Sequence, residues 1–136
     1  MLICVKRSDF SINCPTYYLA KSVTPNNNPV YKQIFNVGTQ THGAVGPYLG
    51  DLNYGSTPGA NTTLANILKD WWVSFAIHGD PNAESWSNAT KPTWPTYASG
   101  EVMSVNFTEI GAVQDAYYDA TKQCDFFWEF EDVVQN

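Results

Sequence analysis

Thr63-Leu64-Ala65-Asn66-Ile67-Leu68-Lys69-Asp70-Trp71-Trp72-Val73-Ser74-Phe75-Ala76-Ile77, followed by His78-Gly79-Asp80-Pro81-Asn82, is the stretch from which the rest of the chain is read. Leu64, Ile67, Leu68, Trp71, Trp72, Phe75 and Ala76 recur at the three- and four-residue spacing that gathers side chains on one side of an α-helix. The pattern predicts a helix over about residues 63–77. Asn61 or Thr62 can cap its first turn, and Gly79 can end it in the left-handed conformation that a residue without Cβ adopts cheaply. Pro81 then forbids the helix to resume.

Working outward, Val113, Ala116, Tyr117, Ala120, Cys124, Phe127 and Trp128 share a face if residues 113–130 are helical. Two strands are expected. One runs from Val30 to Val37 between Pro29 and Gly38, the other from Val102 to Phe107, with Met103, Val105 and Phe107 on one side. Between them lie two long loops, one from Gly38 to Ala60 rich in Gly, Pro, Asn and Thr, the other from Asp80 to Gly100. Two helices, two isolated strands and two long loops do not make a self-sufficient fold. The chain reads as part of something larger, residues 1–136 forming one part of a single domain.

Composition narrows the classes. The 136 residues are 43% apolar and 15% aromatic but only 15% charged, against a usual quarter. A net charge of −6, with no Lys/Arg cluster, argues against nucleic acid and anionic membranes. The longest apolar run, Trp71 to Ile77, is far too short for a membrane span. Met1-Leu2-Ile3-Cys4-Val5 runs directly into Lys6-Arg7, which is neither a signal peptide nor an anchor. Three Asn-x-Thr sequons, at Asn61, Asn88 and Asn106, tilt the reading toward a secreted glycoprotein. Cys14 and Cys124 can pair and leave Cys4 over, the alternative being three unpaired thiols in a reducing compartment. Two His residues and three scattered Cys show no zinc-type spacing, and no Gly-rich phosphate loop occurs, so no cofactor or metal is expected.

His42 is the candidate for chemistry. It lies in Thr41-His42-Gly43-Ala44, just past the carboxyl end of a predicted strand, where open α/β sheets collect catalytic groups. An imidazole is the side chain best suited to take and return a proton near neutrality. The bland alternative is a surface histidine on a loop. His78, just before the helix-ending Gly79, reads as a surface or capping imidazole.

Tyr31-Lys32-Gln33-Ile34-Phe35-Asn36-Val37-Gly38 followed by Thr41-His42-Gly43 resembles the strand and catalytic-histidine loop of the type-B carboxylesterases, the family that includes cholinesterases and fungal lipases. Pro47-Tyr48 extends the likeness. Trp72-x-x-Phe75-Ala76-x-x-Gly79-Asp80-Pro81-Asn82 is similar to the family's W-x-x-F-A-x-x-G-D-P-N, and Trp94-Pro95-x-Tyr97 to its W-P-x-Y. Cys14-Pro15 resembles the start of the helix before the histidine strand, and Cys124-Asp125-Phe126-Phe127-Trp128 the terminal-helix C-x-F-W with one further Phe. Where the family carries an acid two residues past the histidine's glycine, Val45 stands here.

The resemblance implies an α/β fold, namely the C-terminal segment of an α/β-hydrolase. It implies that His42 is the triad base of a secreted carboxylic-ester hydrolase acting on a small-molecule or lipid ester through an acyl-serine. It also implies that Cys14 and Cys124 are joined and Cys4 is free. No G-x-S-x-G elbow occurs; Gly55-Ser56-Thr57-Pro58-Gly59 lies after the histidine, whereas the nucleophile precedes it in this fold. Serine, acid and oxyanion hole are therefore expected outside these residues, and the chain alone is expected to be inactive. The rival reading is a non-catalytic glycan-binding module that stacks sugars on exposed Trp86 and Trp94. The strong helix argues against it, since such modules are mainly β.

Overall fold

The structure, a computed structural model, describes residues 9–26, 28–51, 53–56, 58–116 and 121–129. After a π-helical turn at Asp9–Asn13, helix α1 spans Cys14–Val23 with Pro15 in its first turn, where a missing N–H costs nothing. Cys14, Tyr17 and Ala20 form its buried face. Strand β1 spans Gln33–Phe35 and the short helix α2 Gly46–Gly50. Helix α3 spans Thr62–His78, with Asn61 as its N-cap, accepting from the Leu64 N–H at 3.0 Å, and Gly79 closing it at φ 70°. Strands β2 (Glu101–Val105) and β3 (Ile110–Gln114) and helix α4 (Thr121–Glu129) complete the order.

The three strands form one mixed sheet in the order β1-β2-β3. β1 is parallel to β2, with Ile34 opposite Ser104, and the crossover between them carries α3. β2 and β3 are an antiparallel hairpin, with Met103 opposite Ala112. Helices cover both faces of this sheet. On one side α3 places Leu64, Ile67, Leu68 and Trp71 against Val37, Trp94, Met103 and Val105. On the other, Cys14, Tyr17 and Ala20 of α1 meet Cys124 of α4 over Tyr97 and Val102. Adjacent residues of β2 thus feed opposite layers, which explains why Val102, Met103 and Val105 are all buried.

The expected helix over 113–130 is corrected: Val113 lies in β3, and helix α4 begins at Thr121. β3 is an edge strand whose residues are half-buried or exposed, so it lacks the alternation that marks a strand in sequence. Tyr117 and Ala120 lie outside the described residues. The expected strands are shorter than predicted, since regular pairing takes in only Gln33–Phe35 and Glu101–Val105. Phe107 sits exposed in the hairpin turn, closed by the Asn106 carboxamide oxygen accepting from the Thr108 and Glu109 N–H groups.

The α3 stripe is also redrawn. Leu64, Ile67, Leu68 and Trp71 are buried, whereas Trp72, Phe75 and Ala76 are exposed, and Ala65, Asp70 and Ser74 take buried places instead. Trp71 is 0% exposed, with its ring 5.1 Å from that of Trp94, while its neighbour Trp72 is 51% exposed. Trp71→Ala is expected to cost about 3–5 kcal/mol, the range for emptying a large core position. Trp72→Ala should cost the isolated chain less than about 1 kcal/mol. Urea titrations of the two variants check this, and equal losses would contradict the burial pattern.

Candidate functional site

His42 occupies an exposed turn seven residues beyond the end of β1. The turn is held at both ends. Val37 is buried in the core on one side; Val45, Tyr48 and Leu49 pack against the same core on the other. Between these anchors the backbone folds tightly. The Gln40 N–H donates to the Val37 oxygen, the Ala44 N–H to Thr41 and the Gly46 N–H to Gly43. Gly38 at φ 60° and Gly43 at φ 82° take left-handed conformations that a side chain would strain. His42 is thus displayed at a turn whose feet are fixed in the core, and no described side chain hydrogen-bonds to its imidazole. Val45 serves as an apolar anchor immediately before α2. The Phe35 and Tyr48 rings meet at 5.7 Å and those of Tyr48 and Tyr54 at 5.0 Å, so β1, α2 and the turn that follows are tied together. Burial, reinforced by the Tyr54 hydroxyl, pushes the Tyr48 phenol up to about 12.

The Gly79-Asp80-Pro81-Asn82 motif is a clamp. Ser74 on α3 donates to the Asp80 carbonyl oxygen and accepts from the Glu84 N–H. Asn82 and Trp94 exchange two hydrogen bonds, Asn82 Nδ2 to the Trp94 oxygen at 2.9 Å and the Trp94 N–H to Asn82 Oδ1 at 2.8 Å. Buried Asp70 accepts from the Trp86 and Ser87 N–H groups and from the Ser87 hydroxyl. Lys91, held below the ordinary lysine range by burial, donates to the Pro81 and Glu84 carbonyl oxygens. The loop expected over 80–100 is therefore a fixed strap. Nothing in the sequence marks the buried roles of Asp70 and Ser74, because both lie among charged or apolar neighbours with no motif of their own.

A second polar link joins β1 to the end of β3. Asp115, nearly fully buried, pairs with Lys32 and accepts from the Tyr97 hydroxyl at 2.6 Å. His78 ends α3, with its Nε2 3.5 Å from Glu84 Oε2. Of the sequons, Asn61 caps α3, Asn88 is exposed and Asn106 shapes the β2–β3 turn. Cys14 and Cys124 form a disulfide with Cα atoms 5.2 Å apart, and Cys4 lies outside the described residues. Trp94 is buried with its Nε1–H on the Lys32 oxygen, so of the two expected sugar-facing rings only Trp86 is exposed. Among the described residues no three His, Cys, Asp or Glu side chains gather as a metal site, and no helix is long and apolar enough to cross a membrane.

Sheet, covering helices and a histidine turn beyond the carboxyl end of a parallel strand define a partial α/β fold. The crystal structure of Aspergillus niger EstA, an esterase, has a similar arrangement, with a TM-score of 0.68 at 17% sequence identity. The likeness takes in 90% of this chain and 26% of EstA, so the chain spans about a quarter of that structure's length. No protein-family model matches the sequence, and no curated protein matches it.

Proposed function

We propose that the chain is the C-terminal segment of a secreted type-B carboxylesterase, residues 1–136 being one part of a single α/β-hydrolase domain. The observation that carries this reading is the position of His42, displayed on a turn fixed in the core beyond the end of β1, within a fold similar to an esterase. In that reading His42 takes the proton from a serine as it attacks an ester carbonyl and returns it to the departing alcohol. Serine, acid and oxyanion donors come from outside these residues. The disulfide fits an oxidising compartment, and Asn61, Asn88 and Asn106 are the proposed glycan acceptors.

Alone, the chain is expected to hydrolyse p-nitrophenyl acetate no faster than an equimolar amount of imidazole. Without the nucleophile no acyl-enzyme forms, and a single oxyanion donor is itself worth about 10²–10³ in rate. Saturable turnover well above the imidazole control would overturn the reading.

A further inference from the structure

Trp86 is a large apolar ring left 52% exposed on the strap between Asp80 and Gly100. Two residues further on stands Asn88, the acceptor position of the sequon Asn88-Ala89-Thr90. Exposure alternates through this stretch. Trp86, Asn88 and Thr90 face solvent, while Ser87 and Ala89 are half-buried. The inward residues fix the outward ones. Ser87 donates its N–H and its hydroxyl to buried Asp70 on α3, which also accepts from the Trp86 N–H. The Ala89 N–H donates to the Ser87 hydroxyl oxygen, and the Ala89 side chain packs against the core beneath α3. The indole and the Asn88 carboxamide are thus held on one side of an anchored backbone, with Cα atoms at most about 7 Å apart. Among the described residues the Asn88 side chain holds no hydrogen bond.

The other two sequons differ. Asn61 and Asn106 are half-buried, and the side-chain oxygen of each already serves the backbone, Asn61 at the start of α3 and Asn106 in the β2–β3 turn. Neither has a ring two positions before it, where Gly59 and Ser104 stand. N-glycosylation joins the asparagine Nδ2 to C1 of an N-acetylglucosamine supplied on a lipid pyrophosphate. The N–C bond forms as the C–O bond to the pyrophosphate breaks, the pyrophosphate leaves, and one Nδ2 proton passes to solvent. The flat face of that sugar is lined with C–H groups, which pack against the electron-rich face of an indole. In the unfolded chain nothing keeps ring and sugar together. In the folded strap Asp70 and Ser87 have already ordered the backbone between them, so the stack forms at little further cost in entropy and favours the folded state.

We propose that Asn88 carries an N-linked glycan whose first N-acetylglucosamine stacks on the Trp86 indole and covers the exposed ring. The proposal rests on the secreted-glycoprotein reading above and deepens it at one of the three sequons. The full chain is made behind an added leader in a eukaryotic secretory host, and its glycans are trimmed to the first sugar. Peptide mass spectrometry is expected to find Asn88 occupied. Thr90→Ala removes that sugar alone and changes an exposed side chain, and it should lower the melting temperature by about 2–4 °C. In a Trp86→Ala background the same substitution should leave the melt unchanged, and in a Trp86→Phe background part of the shift should return. The protons of the Asn88 sugar should lie upfield in the NMR spectrum under the indole ring current and lose that displacement in Trp86→Ala. Equal melting shifts with and without Trp86, or a sugar spectrum indifferent to Trp86, overturn the stack. A bare Asn88 beside an occupied Asn61 or Asn106 overturns the site and leaves the glycoprotein reading standing. Sugar at none of the three overturns both.

Discussion

His42→Ala, made in an assembly in which this chain and a serine-bearing esterase part hydrolyse an ester together, is expected to lower kcat by about 10⁴-fold and leave KM nearly unchanged. The members of a serine triad act as a unit, so losing the base removes most of what the triad as a whole supplies. On the proposed reading the ester is held by residues outside this chain, which is why KM should hold. His42 is exposed on its turn and its imidazole holds no described hydrogen bond, so the substitution should change stability by less than about 0.5 kcal/mol. The contrast is the test. A large loss of kcat with an unshifted melt identifies a group acting on the reaction. A loss that tracks unfolding, or no loss at all, would remove His42 from the mechanism.

Replacing Cys14 and Cys124 by Ser together is expected to have the largest effect on stability. The bridge spans 110 residues and joins the first turn of α1 to α4 on one face of the sheet. Closing a loop of that length restricts the unfolded chain by about 4–5 kcal/mol in the entropy model. Both sulfur-bearing side chains are buried beside Tyr17, Tyr97 and Val102, so the variant also leaves two hydroxyls to be satisfied in an apolar layer. Further contacts hold α4. The Tyr18 hydroxyl donates to Asp125 at 2.7 Å, the Tyr18 and Trp128 rings lie 5.0 Å apart, and Phe127 meets Phe10 at 5.8 Å. Burial and the Asp125 carboxylate together hold the Tyr18 phenol well above the ordinary tyrosine range, so at neutral pH it remains a donor. Calorimetry should show the melting temperature of the double variant lowered by about 10–20 °C. An unchanged melt would show that α4 contributes nothing to the cooperative unit.

The difference between Trp71 and Trp72 shows where sequence reasoning stops. A helical pattern places both tryptophans on one broad stripe, and periodicity alone says only that the stripe faces something apolar. It does not say how much of that surface the same chain provides. Among the described residues α3 packs on a sheet three strands wide, which covers Leu64, Ile67, Leu68 and Trp71 and stops short of Trp72 and Phe75. The second helix departs from its sequence pattern for a related reason. Val113 and Ala116 fit a helical face, but the edge pairing of Ile110–Gln114 with β2 outweighs that weak local preference.

The sequence by itself determined the local elements with their own punctuation. Helix α3 is written in its apolar spacing, the Asn61 cap and the Gly79 stop, and the place of His42 past a strand is written in the order of strand, glycine and histidine. These follow from short-range sterics and hydrogen bonding, which neighbouring residues fix among themselves. Only the tertiary structure decided the rest. It joined Gln33–Phe35 to Met103–Val105 across seventy residues and brought the ends of the disulfide to 5.2 Å. It buried Asp70, Ser74 and Asp115 with partners distant in sequence and, among the described residues, left one edge of β1 open. Pairing between strands and satisfaction of buried polar groups depend on which surfaces the folded chain brings together, and no window of neighbouring residues contains that information.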